Sequence, residues 1–289
     1  MKKIIINNNF IMYLLKLINR NKKILNQKDR KITKKRVNLH WWSMKRTDGK
    51  ENFGDYLSYV IVQEMLNKKN LSLETKISTT KHLYGIGSII QGGAHNATIW
   101  GSGLKKGNKD FNWLVRLTRK LDVRLVRGPK TREALLNQGY KCPEKYGDPA
   151  LILPLIYQPK KAKKSKDYLV ILHHETNLDV KEYLSPICHG YKDFIDELCT
   201  AKKVISSSLH GIILAEAYGI PAILLTDKET NNMFKYNDYY YSTGRYEYPI
   251  AKTVEEALSM EPVKIPNLKE LQANILETFP YDLWENKED

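Results

Sequence analysis

The stretch Val204-Ile-Ser-Ser-Ser-Leu-His-Gly-Ile-Ile-Leu-Ala-Glu-Ala-Tyr-Gly-Ile-Pro-Ala-Ile-Leu-Leu225 decides how this chain folds. It predicts a strand over Lys203 to Ser206, a helix from about His210 to Tyr218 and a second strand over Pro221 to Leu225. Strand, helix and strand in close succession form the repeating unit of an α/β sheet. Serine side chains cap helix N-termini, and the N–H groups left over there form a ready anion site. His210, at that helix start, can donate a hydrogen bond to a phosphate or relay a proton. Ile212, Ile213, Leu214 and Ala217 would bury the helix and hold the geometry. The same residues also describe a capped core helix with a structural histidine.

Outward from this turn the alternation continues. Val37 to Trp42 reads as a strand, and Gly54 to Asn67 carries Leu57, Val60, Ile61, Met65 and Leu66 at helical spacing. Thr98 to Trp100 reads as a strand entering the turn Gly101-Ser-Gly103, and Asp122 to Arg127 as another. Pro129 suits the first turn of the helix that follows, and Gly139 its end. Tyr168 to Leu172 is a further expected strand, and Tyr191 to Ala201 a helix. The expected organisation is a basic arm over 1–36, a Rossmann-like half over 37–157, a lysine-rich linker over 158–166 and a second Rossmann-like half with a C-terminal helix over 167–289. Two such halves would face a cleft, with ligands at the carboxyl ends of strands.

The net charge of +15 first suggests nucleic acid. Met1 to Arg36, however, holds twelve Lys and Arg against one acid, Asp29, a net +11 that leaves about +4 for the other 253 residues. A basic groove across the fold is therefore not expected, nor is a nucleic-acid partner. The arm's apolar stretch Phe10 to Ile18 contains Lys16 and is too short to span a bilayer. It suits a basic amphipathic helix on an anionic membrane surface, or a solvated extension. Cys142, Cys188 and Cys199 are odd in number and lack ligand spacing. They predict neither a disulfide framework nor a structural zinc site, and fit a reducing, cytoplasmic location, peripheral at the membrane if the arm binds lipid. His173-His174-Glu175 has no second pair at ligand spacing, so no metal is expected.

Ser207-Ser-Leu-His-Gly211, with its small-residue helix and Tyr218-Gly-Ile-Pro221, resembles the signature of the polysaccharide pyruvyl transferase family. Asn52-Phe-Gly-Asp-Tyr-Leu57, Val126-Arg-Gly-Pro-Lys-Thr-Arg132 and Tyr146-Gly-Asp-Pro-Ala150 resemble three further family segments, in the expected order. The resemblance runs from about Val37 to Leu225. It implies a fold similar to the B-type glycosyltransferases, phosphoenolpyruvate as donor and a sugar or lipid-linked oligosaccharide as acceptor, with no cofactor. The family's active-site histidine falls on His210 and its donor-binding arginine on Arg127, while His173 matches a histidine found at this strand end in many members. Ser208 stands where many members carry a second arginine, so either a different cation compensates or the ligand differs.

The chemistry suits these residues. Phosphoenolpyruvate sets a carboxylate close to a phosphate, and arginine's planar fork fits either. Ketal formation needs protonation of the enol methylene, attack by a hydroxyl, loss of phosphate and closure by a second hydroxyl. A group titrating near neutrality can serve as acid and base in turn, which selects His210, with Asp55 as a second base or an acceptor contact. Ser207, Ser208 and Gly211 would join Arg127 on the donor, unless Arg127 instead forms a surface or inter-domain ion pair. His173, Gly101, Ser102 and Arg245 would face the acceptor, the last from an aromatic lid or ordered loop over Tyr236 to Tyr248. Gly85-Ile-Gly-Ser88 would allow close backbone approach to a ligand. Two other readings stay open: a B-type glycosyltransferase using a nucleotide sugar, and a non-enzymatic membrane-associated scaffold.

Overall fold

The structure is a computed structural model that describes residues 32–42, 48–93, 95–111, 116, 119–159, 164–174, 176, 178–226, 233–261 and 264–285. The arm's apolar stretch, residues 160–163 of the lysine-rich linker and Glu175 lie outside the described residues.

Two four-stranded parallel sheets make an α/β fold of Rossmann-like type. The chain enters through β1 (Val37–His40), the short β2 (Glu51–Asn52) and helix α1 (Phe53–Asn67), followed by β3 (Lys81–Tyr84), β4 (Ala97–Trp100), β5 (Leu121–Leu125) and α2 (Pro129–Asn137). Strands β1-β3-β4-β5 form the first sheet in that order. Then come β6 (Lys166–Ile171), β7 (Ile187–Cys188), α3 (Tyr191–Leu198), β8 (Ala201–Ser206), α4 (Leu209–Ala217), β9 (Ala222–Leu225), α5 (Phe234–Ser242), β10 (Ile250–Ala251), α6 (Val254–Ser259) and α7 (Lys269–Glu277). The second sheet runs β10-β9-β8-β6. β4 and β9 are buried along their whole length, as strands covered on both faces must be.

Several expected elements change at their ends. The helix expected to reach Ala201 stops at Leu198, because Ala201 already pairs with Lys166 in the second sheet. The run Tyr236 to Tyr248, expected as a lid or loop, begins as helix α5. Tyr236, Tyr239 and Tyr240 recur at helical spacing and are all buried, so the rings form a helix face rather than an open platform.

The two halves are stitched together at several places, two of them outside the site. β2 pairs antiparallel with β7, Glu51 opposite Cys188 and Asn52 opposite Ile187, and the Phe53 N–H donates to the Pro186 carbonyl at 2.9 Å. The Phe53 ring stacks on Phe194 with centroids 3.8 Å apart. The C-terminal stretch, expected to finish the second half, instead returns to the first sheet. The buried Trp100 indole N–H donates to the Ile275 carbonyl at 3.1 Å, and its ring meets Phe279 edge-on at 4.9 Å. Arg124 of β5 pairs with Asp282 at 2.8 Å.

Trp100→Phe should cost about 1 kcal/mol, the net worth of one hydrogen bond. Trp100→Ala should cost about 3–5 kcal/mol through the cavity it leaves. Urea unfolding followed by circular dichroism reads both. No measurable cost for Trp100→Phe beside a large one for Trp100→Ala would mean that the strap contributes packing alone.

Candidate functional site

The site is centred on the imidazole of His210, in the first turn of α4. Ser208 is the N-cap, its hydroxyl accepting from the Gly211 N–H at 3.4 Å. The preceding serines hold the strand-to-helix turn. The Ser206 hydroxyl donates to the Ile171 carbonyl at 3.0 Å and accepts from the Ser208 N–H at 3.0 Å. Ser207 Oγ accepts from the His173 N–H at 2.8 Å and lies 3.0 Å from Thr176 Oγ1. Gly211 is required by packing, since a Cβ there would sit 2.4 Å from Ser206 Oγ. The Tyr236 hydroxyl donates to the Ser207 carbonyl at 2.7 Å, fixing the start of α5 against the same turn.

Two other turns close on the ring. Asn52 caps α1, and Gly54 lies so close to His210 that a Cβ on it would stand 2.4 Å from Nδ1. On the other side Asp148 Oδ2 lies 3.8 Å from His210 Nε2, and neither atom has a hydrogen-bond partner among the described residues. Asp148 is fully buried, its second oxygen accepting from the Ala150 N–H at 3.0 Å. Burial raises its carboxyl to about 6, opposed by that N–H and by the charge of Arg127. His210 is 14% exposed. Desolvation, with the charges of Arg127 and Lys235, lowers it to about 3, so the neutral ring expected to titrate near 7 is held neutral well below that. His173 is lowered to about 3 in the same way, by burial first and then by Lys235, His174, Lys105 and His210.

Arg127 has a different place from the one its motif suggested. It is 1% exposed, with Nε donating to Asp238 at 3.0 Å, one terminal nitrogen to Ser88 Oγ at 2.9 Å and the other to the Leu104 carbonyl at 2.9 Å. Its fork is therefore occupied by the protein, and it acts on His210 through its charge. The glycine turns are occupied as well. A Cβ on Gly103 would meet the Arg127 guanidinium carbon at 2.4 Å, and one on Gly101, at φ +81°, would meet Pro149 at 2.2 Å. Ser102 is fully buried and donates to the Gly87 carbonyl at 2.8 Å. Asp55 stands by Gly87, whose Cβ would lie 2.7 Å from Oδ1. Arg245 forms a bidentate pair with the buried Glu216 at 2.7 Å and covers the Tyr240 ring at 4.5 Å. Gly101, Ser102 and Arg245 thus serve the scaffold, because each polar or open position is already filled from within.

Sequence reasoning gave no role to Asp148, Gly54, Lys105 or Lys235. Asp148 and Gly54 stood inside quoted motifs, so the signal was available; the two lysines stand outside any motif. Among the described residues no group of His, Cys, Asp and Glu is arranged to hold a metal ion.

The result is a largely buried neutral imidazole at a capped helix start on a Rossmann-like fold, with Asp148 on one side and the charges of Arg127 and Lys235 acting on it. A model of the family described as polysaccharide pyruvyl transferase matches residues 52–229. The chain belongs to the polysaccharide pyruvyl transferase family and is a transferase. An uncharacterised protein of Acanthamoeba polyphaga mimivirus is 24% identical over a stretch covering 65% of this chain and 69% of that protein. A crystal structure of a functionally uncharacterised protein from Klebsiella pneumoniae shares the fold, with a TM-score of 0.51 and 16% identity, covering 86% of this chain and all of that one.

The raised Asp148 carboxyl has a measurable consequence. The folded protein holds its proton up to about pH 6, whereas the unfolded chain releases it near 3.8. This contribution to stability is full below about pH 4 and is lost as pH rises through about 6. The lowered His210 works oppositely, losing stability as pH falls from 6.5 toward about 3. Asp148→Asn removes only the first effect. Its stability relative to wild type should therefore rise by roughly 3 kcal/mol between pH 4 and pH 7, measured by urea unfolding. A difference that stays constant with pH would contradict the assignment.

Proposed function

We propose that this transferase moves the enolpyruvyl group of phosphoenolpyruvate onto a sugar of a surface polysaccharide or of its lipid-linked precursor, forming a pyruvate ketal without a further cofactor. One observation supports this above the others: three family segments, carrying Gly54, Asp148 and the Ser206–Gly211 turn, meet at the His210 ring. The halves would face each other as in the B-type glycosyltransferases, with the reaction between them.

The donor brings an anion to a helix start flanked by lysines. The open N–H groups of the α4 start and the charges of Lys235 and Lys105 favour its phosphate and carboxylate. Lys235 is the cation that compensates for Ser208. It comes from beyond the family-matched segment, and Tyr236, over whose ring its ammonium lies at 4.8 Å, anchors it to the serine turn. A bound dianion also raises the histidine's proton affinity, bringing His210 back toward a useful range.

His210 then takes the proton of the attacking hydroxyl as the new C–O bond forms at C2 of the donor, and a proton is delivered to C3. The C2–O bond to phosphate breaks, and a second hydroxyl closes the ketal. Of the two hydroxyl protons, one ends on the new methyl group and one on inorganic phosphate. Asp148, beneath Nε2, steadies the ring while it carries charge. Asp55 and His173 lie on the acceptor side in this reading.

No described helix is long and apolar enough to cross a membrane. In this proposal the enzyme works in the cytoplasm, and the basic arm holds it against an anionic membrane surface where lipid-linked acceptors are presented.

Phosphate release from phosphoenolpyruvate in the presence of acceptor tests the reading. His210→Ala should lower kcat by at least about a hundredfold, the usual scale for losing a proton-transfer group. Lys235→Ala should raise the donor KM roughly tenfold, as expected for one charge-assisted contact. Tight binding of a nucleotide sugar with no response to phosphoenolpyruvate would instead favour a glycosyltransferase.

A further inference from the structure

Resting on the pyruvyl-transfer reading, we propose that a recess beside His173 is the acceptor subsite and that it takes a sugar carrying an anionic group, a phosphate or a carboxylate. The recess has a volume of about 380 Å³ and is bounded by Lys50, His173, His174, Thr176, Tyr183 and Ser185 over an apolar floor. That volume lies within the ordinary range for small-molecule sites.

The composition of its walls identifies the occupant. Tyr183 is 53% exposed, leaving a broad ring face on which the apolar face of a sugar can lie. Trp42 stacks on His174 at 5.1 Å, and His174 on His173 at 4.3 Å, which fixes the aromatic wall beside it. Thr176 and Ser185 supply hydroxyls, and His173, kept neutral, can donate or accept as a sugar hydroxyl requires. None of the described lining residues is acidic, and Lys50 forms no ion pair with any described residue. A neutral sugar would offer that ammonium hydroxyls but no counter-charge, whereas a phosphate or carboxylate would supply one.

The position of the recess links it to the reaction. Lys50 precedes the β2–β7 pairing, whose other strand begins two residues after Ser185, so both walls are pinned where the halves join. Four residues after Lys50 the chain reaches Gly54, which packs on the His210 ring. Four residues span at most about 14 Å, so an anionic group at Lys50 leaves roughly one or two sugar rings of reach to the imidazole.

The test uses the full-length protein and three probes: glucose, glucose 1-phosphate and glucuronic acid, with binding measured by calorimetry in the presence of phosphoenolpyruvate. Wild type should bind at least one of the acidic probes about tenfold or more tightly than glucose, and which one it prefers separates phosphate from carboxylate. Lys50→Gln should erase that preference with donor affinity unchanged, and Tyr183→Ala should weaken all probes alike. Equal binding of all three probes, no binding of any, or a preference that survives Lys50→Gln would overturn the inference. The pyruvyl-transfer reading fails separately. If phosphoenolpyruvate neither binds nor releases phosphate while the Lys50-dependent preference persists, the recess stands and the donor assignment falls.

Discussion

The buried pair between Arg127 and Asp238 holds this protein together around its site. Asp238 is fully buried, and besides Arg127 it accepts from the Thr131 N–H at 2.8 Å and the Thr131 hydroxyl at 2.6 Å. Arg127 in turn spends its nitrogens on Asp238, Ser88 and Leu104. One carboxylate therefore binds the end of the first sheet, the start of α2 and the helix α5 that follows the second sheet. Two desolvated charges gain little net energy when so completely satisfied, but removing either partner strands the other at a cost of about 3–5 kcal/mol. The pair thus fixes geometry more than it adds stability. It also places a permanent positive charge beside His210, so the constraint that organises the fold sets the electrostatics of the site.

The fold was legible in the sequence because its signals are local. The apolar runs of β4, β8 and β9, the serine cap before α4 and the proline opening α2 each announce an element within a few residues. The helix at Phe234–Ser242 was hidden, because a run dense in tyrosine and charge shows no apolar face until the rings are known to be buried. The site was legible only in part. His210 declared itself by its place at a capped helix start, and Asp148 and Gly54 stood within recognisable turns. Their meeting depends on contacts from His210 to positions 62 and 156 residues earlier in the chain, which no local pattern encodes. Arg127 shows the opposite difficulty: an arginine at a strand end suits a ligand, and only a buried aspartate 111 positions away reveals that the fork is taken.

A neutral histidine in a cationic, half-desolvated surround is an unfavourable place for another proton and a favourable one for an anion. The capped helix, the Arg127 charge and the nearby lysines all push in that direction. In such a site ligand charge and residue protonation are coupled, so the binding of an anion prepares the acid or base that will act on it. Glycine at position 54 belongs to the same design, because it lets a backbone seal one side of the ring where any larger residue would displace it.

The contact between Trp100 and Ile275 spans 175 positions of chain. It bears on the order in which the molecule can be made. A ribosome releases the strands of the first sheet long before it has synthesised the helix that covers one of their largest apolar side chains. Until that helix emerges, Trp100 and its neighbours have no lid, and the growing chain must carry an exposed hydrophobic surface through most of its synthesis. The late-arriving strap makes completion of the first half the last event in folding rather than the first, and marks this polypeptide as one whose nascent form would benefit from a chaperone.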